Sequence, residues 1–222
     1  MSTADIREQE TTELLRTAAL WRLLGLLLER PRPGWHDEVR ALAGESDDNE
    51  LRDAAERAMD TDERAYLQAF GPGGAVSPRE VRYRGYRDPG QVLADVRCFY
   101  DAFSFVPRAE DPIDHVAVEA GFVGYLHLKL AFAVEGGLAG EAETTRAAIV
   151  EFLRSHLGTF IGAVADGLEG FPVEHLARVA RAAARRVEQR GLLSDERPGA
   201  TSGRAAAEPG DCGGCAFPDD PS

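Results

Sequence analysis

An all-α fold is what this sequence predicts, and three observations predict it. Apolar residues recur at helical spacing along most of the 222 residues. Residues that start and stop helices bracket those stretches. No run reads as a convincing strand, since only Val81 to Tyr86 hints at one. The 44% apolar composition suffices for one sizeable core. The expected architecture is therefore a single-domain helical bundle over residues 1–193, followed by a disordered tail over residues 194–222.

Thr11 or Thr12 is positioned to cap a first helix running to about Glu29, with Leu14, Leu15, Ala18, Trp21, Leu24, Leu27 and Leu28 at helical spacing. Pro31-Arg32-Pro33-Gly34 stops it. A short helix is expected from Trp35 to Ala43, an acidic turn at Glu45 to Asp48, and one longer helix from about Glu50 to Phe70. Gly71-Pro72-Gly73-Gly74-Ala75-Val76-Ser77-Pro78 is a loop, because prolines break the helix and glycines are free to take positive φ. Asp88 and Pro89 have the form of a cap and a first-turn proline, opening a helix to about Phe103. The next helix, about Pro112 to Val134, is apolar almost all round, the mark of a helix buried inside a bundle. Gly136-Gly137 ends it, and two more helices are expected, Glu141 to Gly167 and Val173 to Arg190. From Ser194 onward small residues, prolines and acids leave almost nothing to bury, hence the expected tail.

Lys and Arg total 25 against 38 Asp and Glu, a net charge of −13. Such a chain is repelled by nucleic acid and by anionic membranes, and attracts cationic peptides. Acids near the N-terminus, where a signal peptide would be basic, and a longest apolar run of only Leu23 to Leu28 point to a cytoplasmic protein without membrane insertion. Three cysteines, Cys98, Cys212 and Cys215, do not make a disulfide framework.

The chemistry concentrates in Asp111-Pro112-Ile113-Asp114-His115, which leads into Val116-Ala117-Val118-Glu119. Asp111 as N-cap, Pro112 at the first helical position and Asp114 at the third describe a capped helix start, with acids that suit the helix dipole. His115 and Glu119 lie one turn apart, as a protonated imidazole beside a carboxylate or as a buried core hydrogen bond. The run Arg79 to Arg87 gathers four arginines and two tyrosines in an acidic chain, either pinned by ion pairs to neighbouring acids or free to bind a ligand. The Gly71–Gly74 loop lacks the lysine-serine/threonine ending and the preceding strand of a P-loop, so it reads first as a helix terminator. His36-Asp37 resembles a phosphohydrolase dyad but lacks the earlier histidine such a site needs, and nothing else assembles a nucleophile. Cys212 and Cys215 have metal-ligand or redox spacing, yet two sulfurs do not close a zinc tetrahedron; an inert thiol pair is the competing reading.

Two motifs in order resemble the TorD/DmsD/NarJ family, the assembly chaperones of molybdenum-cofactor oxidoreductases. Tyr66-Leu67-Gln68-Ala69-Phe70-Gly71-Pro72-Gly73-Gly74 with Ser77-Pro78-Arg79-Glu80 is similar to the family's aromatic-Gly-Pro helix end and proline-bearing loop. Asp111 to Val116 with Glu119 and Phe122 resembles its acid-x-x-Asp-His-hydrophobic helix start. Ala120 stands where the family usually has leucine, and the Cys-Gly-Gly-Cys stretch lies outside the family pattern.

The resemblance implies a TorD-like all-helical fold and a non-enzymatic function. Such a chaperone binds the twin-arginine signal peptide of an apo-catalytic subunit of a molybdopterin-dependent oxidoreductase in the cytoplasm, and supports cofactor insertion before export. Implied client-binding residues are Asp114, His115, Glu119 and Phe122 at the helix start, Phe70, Gly71 and Pro72 at a movable loop, and Tyr83 and Tyr86 in the arginine-tyrosine run. No cofactor is expected. The alternatives are a maturation factor that binds GTP weakly near the arginine-tyrosine run, a metal- or cluster-handling protein using Cys212 and Cys215, and a plain helical adaptor. Monomer and domain-swapped dimer are both open, with the Gly-Pro loop as hinge.

Overall fold

Helix α1, Thr3–Leu28, runs from polar to apolar: its first turns are exposed, and Leu23 to Leu28 are buried. The computed structural model describes residues 2–107 and 111–190, and the expected tail, with Cys212 and Cys215, lies outside them. The helix is capped nine residues before the expected Thr11. Ser2 caps it instead, accepting from the Ala4 N–H while Asp5 accepts from the Ser2 N–H, a reciprocal capping box that outcompetes the later threonines.

α2 (Trp35–Glu45) and α3 (Asn49–Ala58) follow, the latter capped by Asp48 onto the Leu51 N–H. The single helix expected from Glu50 to Phe70 is broken at Met59 to Asp62. Asp62 caps a new helix, α4 (Glu63–Phe70), by accepting from the Ala65 N–H at 2.8 Å. A second good cap inside a helical pattern divides it. α5 (Pro89–Ala102) starts as expected, with Asp88 bonded to the Gln91 N–H and Pro89 in the first turn.

α6 (Val116–Glu135) is the core helix, with buried residues on every face. α7 (Ala139–Ser155), a 3₁₀ turn at Leu157–Thr159 and α8 (Ile161–Gly167) replace the one helix expected over Glu141 to Gly167; the backbone breaks at His156, whose side chain is drawn to a buried acid. α9 (Glu174–Glu188) closes the bundle. Among the described residues there is no strand; the Val81 to Tyr86 region holds a 3₁₀ turn, Glu80–Tyr83, and one isolated antiparallel bridge, Arg79 to His115, stands beside it. By length and composition α6, and the stretch Ala139–Gly167, could each cross a membrane, which the short run at Leu23 to Leu28 did not suggest. In this fold α6 buries its apolar surface against α1, α7 and the aromatic cluster of α5.

α1 and α6 run antiparallel in the closest packing of the molecule. A Cβ on Gly25 would stand 2.9 Å from the Ala117 carbonyl, and one on Gly124 would stand 3.0 Å from the Ala18 carbonyl. Only glycine permits backbones this close, and the seam they make is shallow on its outer side. α9 is tied across the bundle to α3 by Arg185–Glu50 and Arg186–Asp48.

Candidate functional site

The start of α6 is built differently from its expected capped form. His115, not Asp111, is the N-cap: its Nδ1 accepts from the Ala117 N–H at 3.1 Å, while Asp111 to His115 form a turn closed by His115 N–H to the Pro112 carbonyl. With Nδ1 accepting, the neutral ring carries its proton on Nε2 and donates to the Tyr66 hydroxyl at 3.2 Å. Tyr66 in turn donates to the Leu28 carbonyl. This relay joins the end of α1, the middle of α4 and the start of α6. Burial, and then the Arg79 charge, hold the His115 imidazole down to about 3, so of the two readings open for His115 and Glu119 the protonated ring is not formed, and the ring's hydrogen bonds go to Ala117 and Tyr66 instead of Glu119.

Asp114 is fully buried and faces the loop before α5. Its carboxylate accepts from Arg79 Nε at 2.9 Å and from the Val81 N–H at 3.3 Å, and its carbonyl accepts from the Glu80 N–H. Pro78 returns the contact by accepting from the Val116 N–H. The arginine-tyrosine run is thus largely pinned. Arg79 pairs with Asp114, Arg84 with Glu80, and Arg87 with Asp95, and Tyr83 donates to the Ser77 carbonyl and stacks on Phe160.

Glu119 points into this pinned region. Neither carboxylate oxygen meets a nitrogen or hydroxyl donor, and the group within hydrogen-bonding reach is Glu80, itself fully buried. Burial first, then the charges of Glu80 and Asp114, push the Glu119 carboxyl well above the usual carboxylate range. Glu80 holds the ion pair, with Arg84 Nε at 2.7 Å and His156 Nδ1 at 3.0 Å. Glu119 therefore keeps its proton beside Glu80. Asp114, His115 and Glu119 together lock the Pro78–Tyr83 loop, α4 and the 3₁₀ turn after α7 onto the first turns of α6.

The outer side of the α1–α6 seam is an apolar groove with a cavity volume of about 490 Å³. Ala18, Ala19, Ala117 and Gly121 form a floor of small residues, while Leu42 of α2 and Phe105 to Pro107 form walls. Leu15, Tyr125 and Leu128 lie at one end, and Arg22, Glu29, Val118 and Gly124 also line the groove. Three of these apolar groups stand open to solvent, Val106 at 79%, Leu15 at 43% and Leu128 at 36%. Phe132, one turn beyond Leu128, extends the strip at 60% exposure. A Cβ added to Gly121 would meet nothing within 4 Å, so the absence of a side chain there is part of the groove's depth.

Most residues expected to bind a client lie beneath this surface. Asp114, His115, Glu119 and Phe122 are buried; Asp114 turns to Arg79 and Val81, His115 to Tyr66 and the Ala117 N–H, and Glu119 toward Glu80, rather than to an open groove. Phe122 sits in an aromatic cluster with Tyr100, Phe105 and Phe152, one contact removed from the groove wall through Phe105. Phe70 is buried edge-on to His115, and Gly71 caps α4 where a Cβ would meet the Leu67 carbonyl. Pro72 lines a separate open depression with Glu63, Arg64, Leu67 and Gln68, so the Gly-Pro loop is not a wall of the groove. Tyr86 stands fully exposed. No sequence pattern marked Leu42, Val106 or Glu29 as site residues; Gly25, Gly121 and Gly124 on apolar helices were the available signal for a close seam.

Neither a comparison with curated proteins nor one with solved structures finds a match. A family model, described as nitrate reductase delta subunit, matches residues 33–166, more than half of the chain. That span contains the pinned loop, the Asp114–Glu119 helix start and one whole side of the groove, in the all-helical setting the two sequence motifs implied. The chain belongs to the nitrate reductase delta subunit family, whose members are molybdoenzyme assembly chaperones of the NarJ/TorD kind and not a catalytic family.

Proposed function

We propose that this protein is a cytoplasmic chaperone that holds the twin-arginine signal peptide of a molybdopterin oxidoreductase catalytic subunit in the α1–α6 groove until the cofactor is inserted. The observation that carries this reading is the groove itself, an apolar trough about 490 Å³ in volume on an acidic protein, with exposed leucine, valine and phenylalanine side chains along it. Solvent-facing apolar surface of that kind is recovered by covering it with a partner's apolar face. A short helix laid along α6 does this, with apolar groups at helical spacing supplying affinity and overall charge steering a cationic segment. Asp114, His115 and Glu119 serve the site from below, by fixing where the first turns of α6 stand.

The test uses Gly121→Leu. The glycine is helical and its Cβ direction is open, so the leucine fills the groove without entering the core. A synthetic peptide copying a twin-arginine signal segment of a molybdopterin oxidoreductase catalytic subunit is titrated into both forms. The parent is expected to bind and the variant to lose about tenfold or more in affinity, roughly 1.4 kcal/mol. No binding by the parent sinks the function; equal binding by both forms removes the groove as the site.

A further inference from the structure

The polar end of the groove is an ion-pair network whose acid is anchored and whose bases are not. Glu29, the residue that ends α1, is 8% exposed and bonds to Arg22 Nη1 at 2.7 Å, with Arg32 Nη2 at 3.6 Å. Glu38 on α2 receives both prongs of Arg32, at 2.8 and 2.9 Å, and Arg22 Nη2 at 3.5 Å. The side chains of Arg22 and Arg32 remain about a third exposed, at 34% and 35%, against 10% for Glu29. Arg22 and Glu29 both line the groove, beside Ala117 and Val118 at the start of α6.

A carboxylate this buried is costly to leave without a cation. A partly exposed arginine loses little on leaving, because water takes over most of what the pair supplied. The site therefore always holds a guanidinium, but the identity of that guanidinium is nearly free to change. Resting on the groove reading above, we propose that Arg22 is a resident stand-in for a client arginine: a bound peptide places its own guanidinium on Glu29 and displaces Arg22 toward solvent. The partner is then a peptide whose arginines immediately precede an apolar run. Its cationic end lies at Glu29 and Glu38, and its apolar residues run along the seam toward Leu15, Tyr125 and Leu128. The planar fork that matches a carboxylate favours arginine over lysine in this place.

The experiment uses the full chain and a labelled peptide of roughly 20 residues with two adjacent arginines before a run of Leu, Phe and Ala. Companion peptides carry lysine or norleucine in place of both arginines. Arg22→Met removes the resident competitor while Arg32 still covers Glu29, so this variant is expected to bind the arginine peptide about twofold to fivefold more tightly. Glu29→Gln is expected to bind it about tenfold or more weakly and to treat the arginine and norleucine peptides alike. A cycle combining Glu29→Gln with the norleucine peptide then shows strong coupling between the two changes. The proposal is overturned if Arg22→Met weakens binding or leaves it unchanged, or if Glu29→Gln still prefers arginine. If the parent binds and Gly121→Leu blocks while the charge variants stay neutral, the groove stands and the stand-in falls. If no peptide binds the parent, both fall.

Discussion

At the scale of single residues the polar start of α6 separates into a cap, a loop anchor and a buried acid. His115 caps the helix as a neutral ring, Asp114 ties down the Arg79–Val81 backbone and side chain, and Glu119 keeps a proton in order to sit beside Glu80. The last arrangement has a pH signature. Because the folded protein raises the Glu119 carboxyl, the stability tied to its protonated form is fully present below the ordinary value of 4.5 and is lost as pH rises through the raised one. Glu119→Gln keeps the shape and the donor without a charge. It is expected to raise the melting temperature at neutral pH, with the advantage over the parent growing from about pH 5 to about pH 8. Thermal melts across that range check it, and a variant that is less stable than the parent throughout would show that the proton on Glu119 is misplaced.

At the scale of elements the α1–α6 seam decides both the packing and the groove. The same substitution at two glycines is expected to have opposite signs. Gly25→Ala drives a methyl to 2.9 Å from the Ala117 carbonyl and from the Gly121 nitrogen, backbone atoms that cannot turn aside, and costs about 1–3 kcal/mol. Gly121→Ala meets nothing within 4 Å and removes a helix-interior glycine, a gain of up to about 1 kcal/mol. Denaturant unfolding of the two variants measures both. Two destabilised proteins would mean that the groove side of the seam is as closely packed as its inner side.

For the whole molecule, burial of neutral histidines on several elements sets the acid limit of the fold. Burial lowers His115 to about 3, and His127 and His175 to about 4. A lowered group contributes stability that is present above its unfolded value of 6.5 and lost as pH falls toward its folded value. Each of the three is expected to remove up to about 1.4 kcal/mol per pH unit below roughly pH 6.5. The three sit on α6 and α9 and at their junctions with α1 and α4, so the loss is expected as one cooperative transition. Urea midpoints followed from about pH 7 to about pH 5 give the slope; a flat profile would mean that these rings are protonated inside the fold.

Local pattern was enough to specify the helical class, the buried character of α6, the Gly-Pro loop, the Asp88–Pro89 helix start and the two motifs that placed the chain in its family. In each case a period, a cap or a short pattern carries the information within a few residues. Helix boundaries were legible only where one cap stood alone; where Ser2 and Asp62 competed with other candidates, the hydrogen bonds chose. The direction in which Asp114, His115 and Glu119 point was not legible, because their partners Arg79, Tyr66 and Glu80 lie 35 to 49 residues away in the chain and become neighbours only on folding. The groove was least legible of all. It is the space left where two glycine-bearing helices approach, with an ion-pair network of four residues at one end, and a space between elements has no pattern in any one of them.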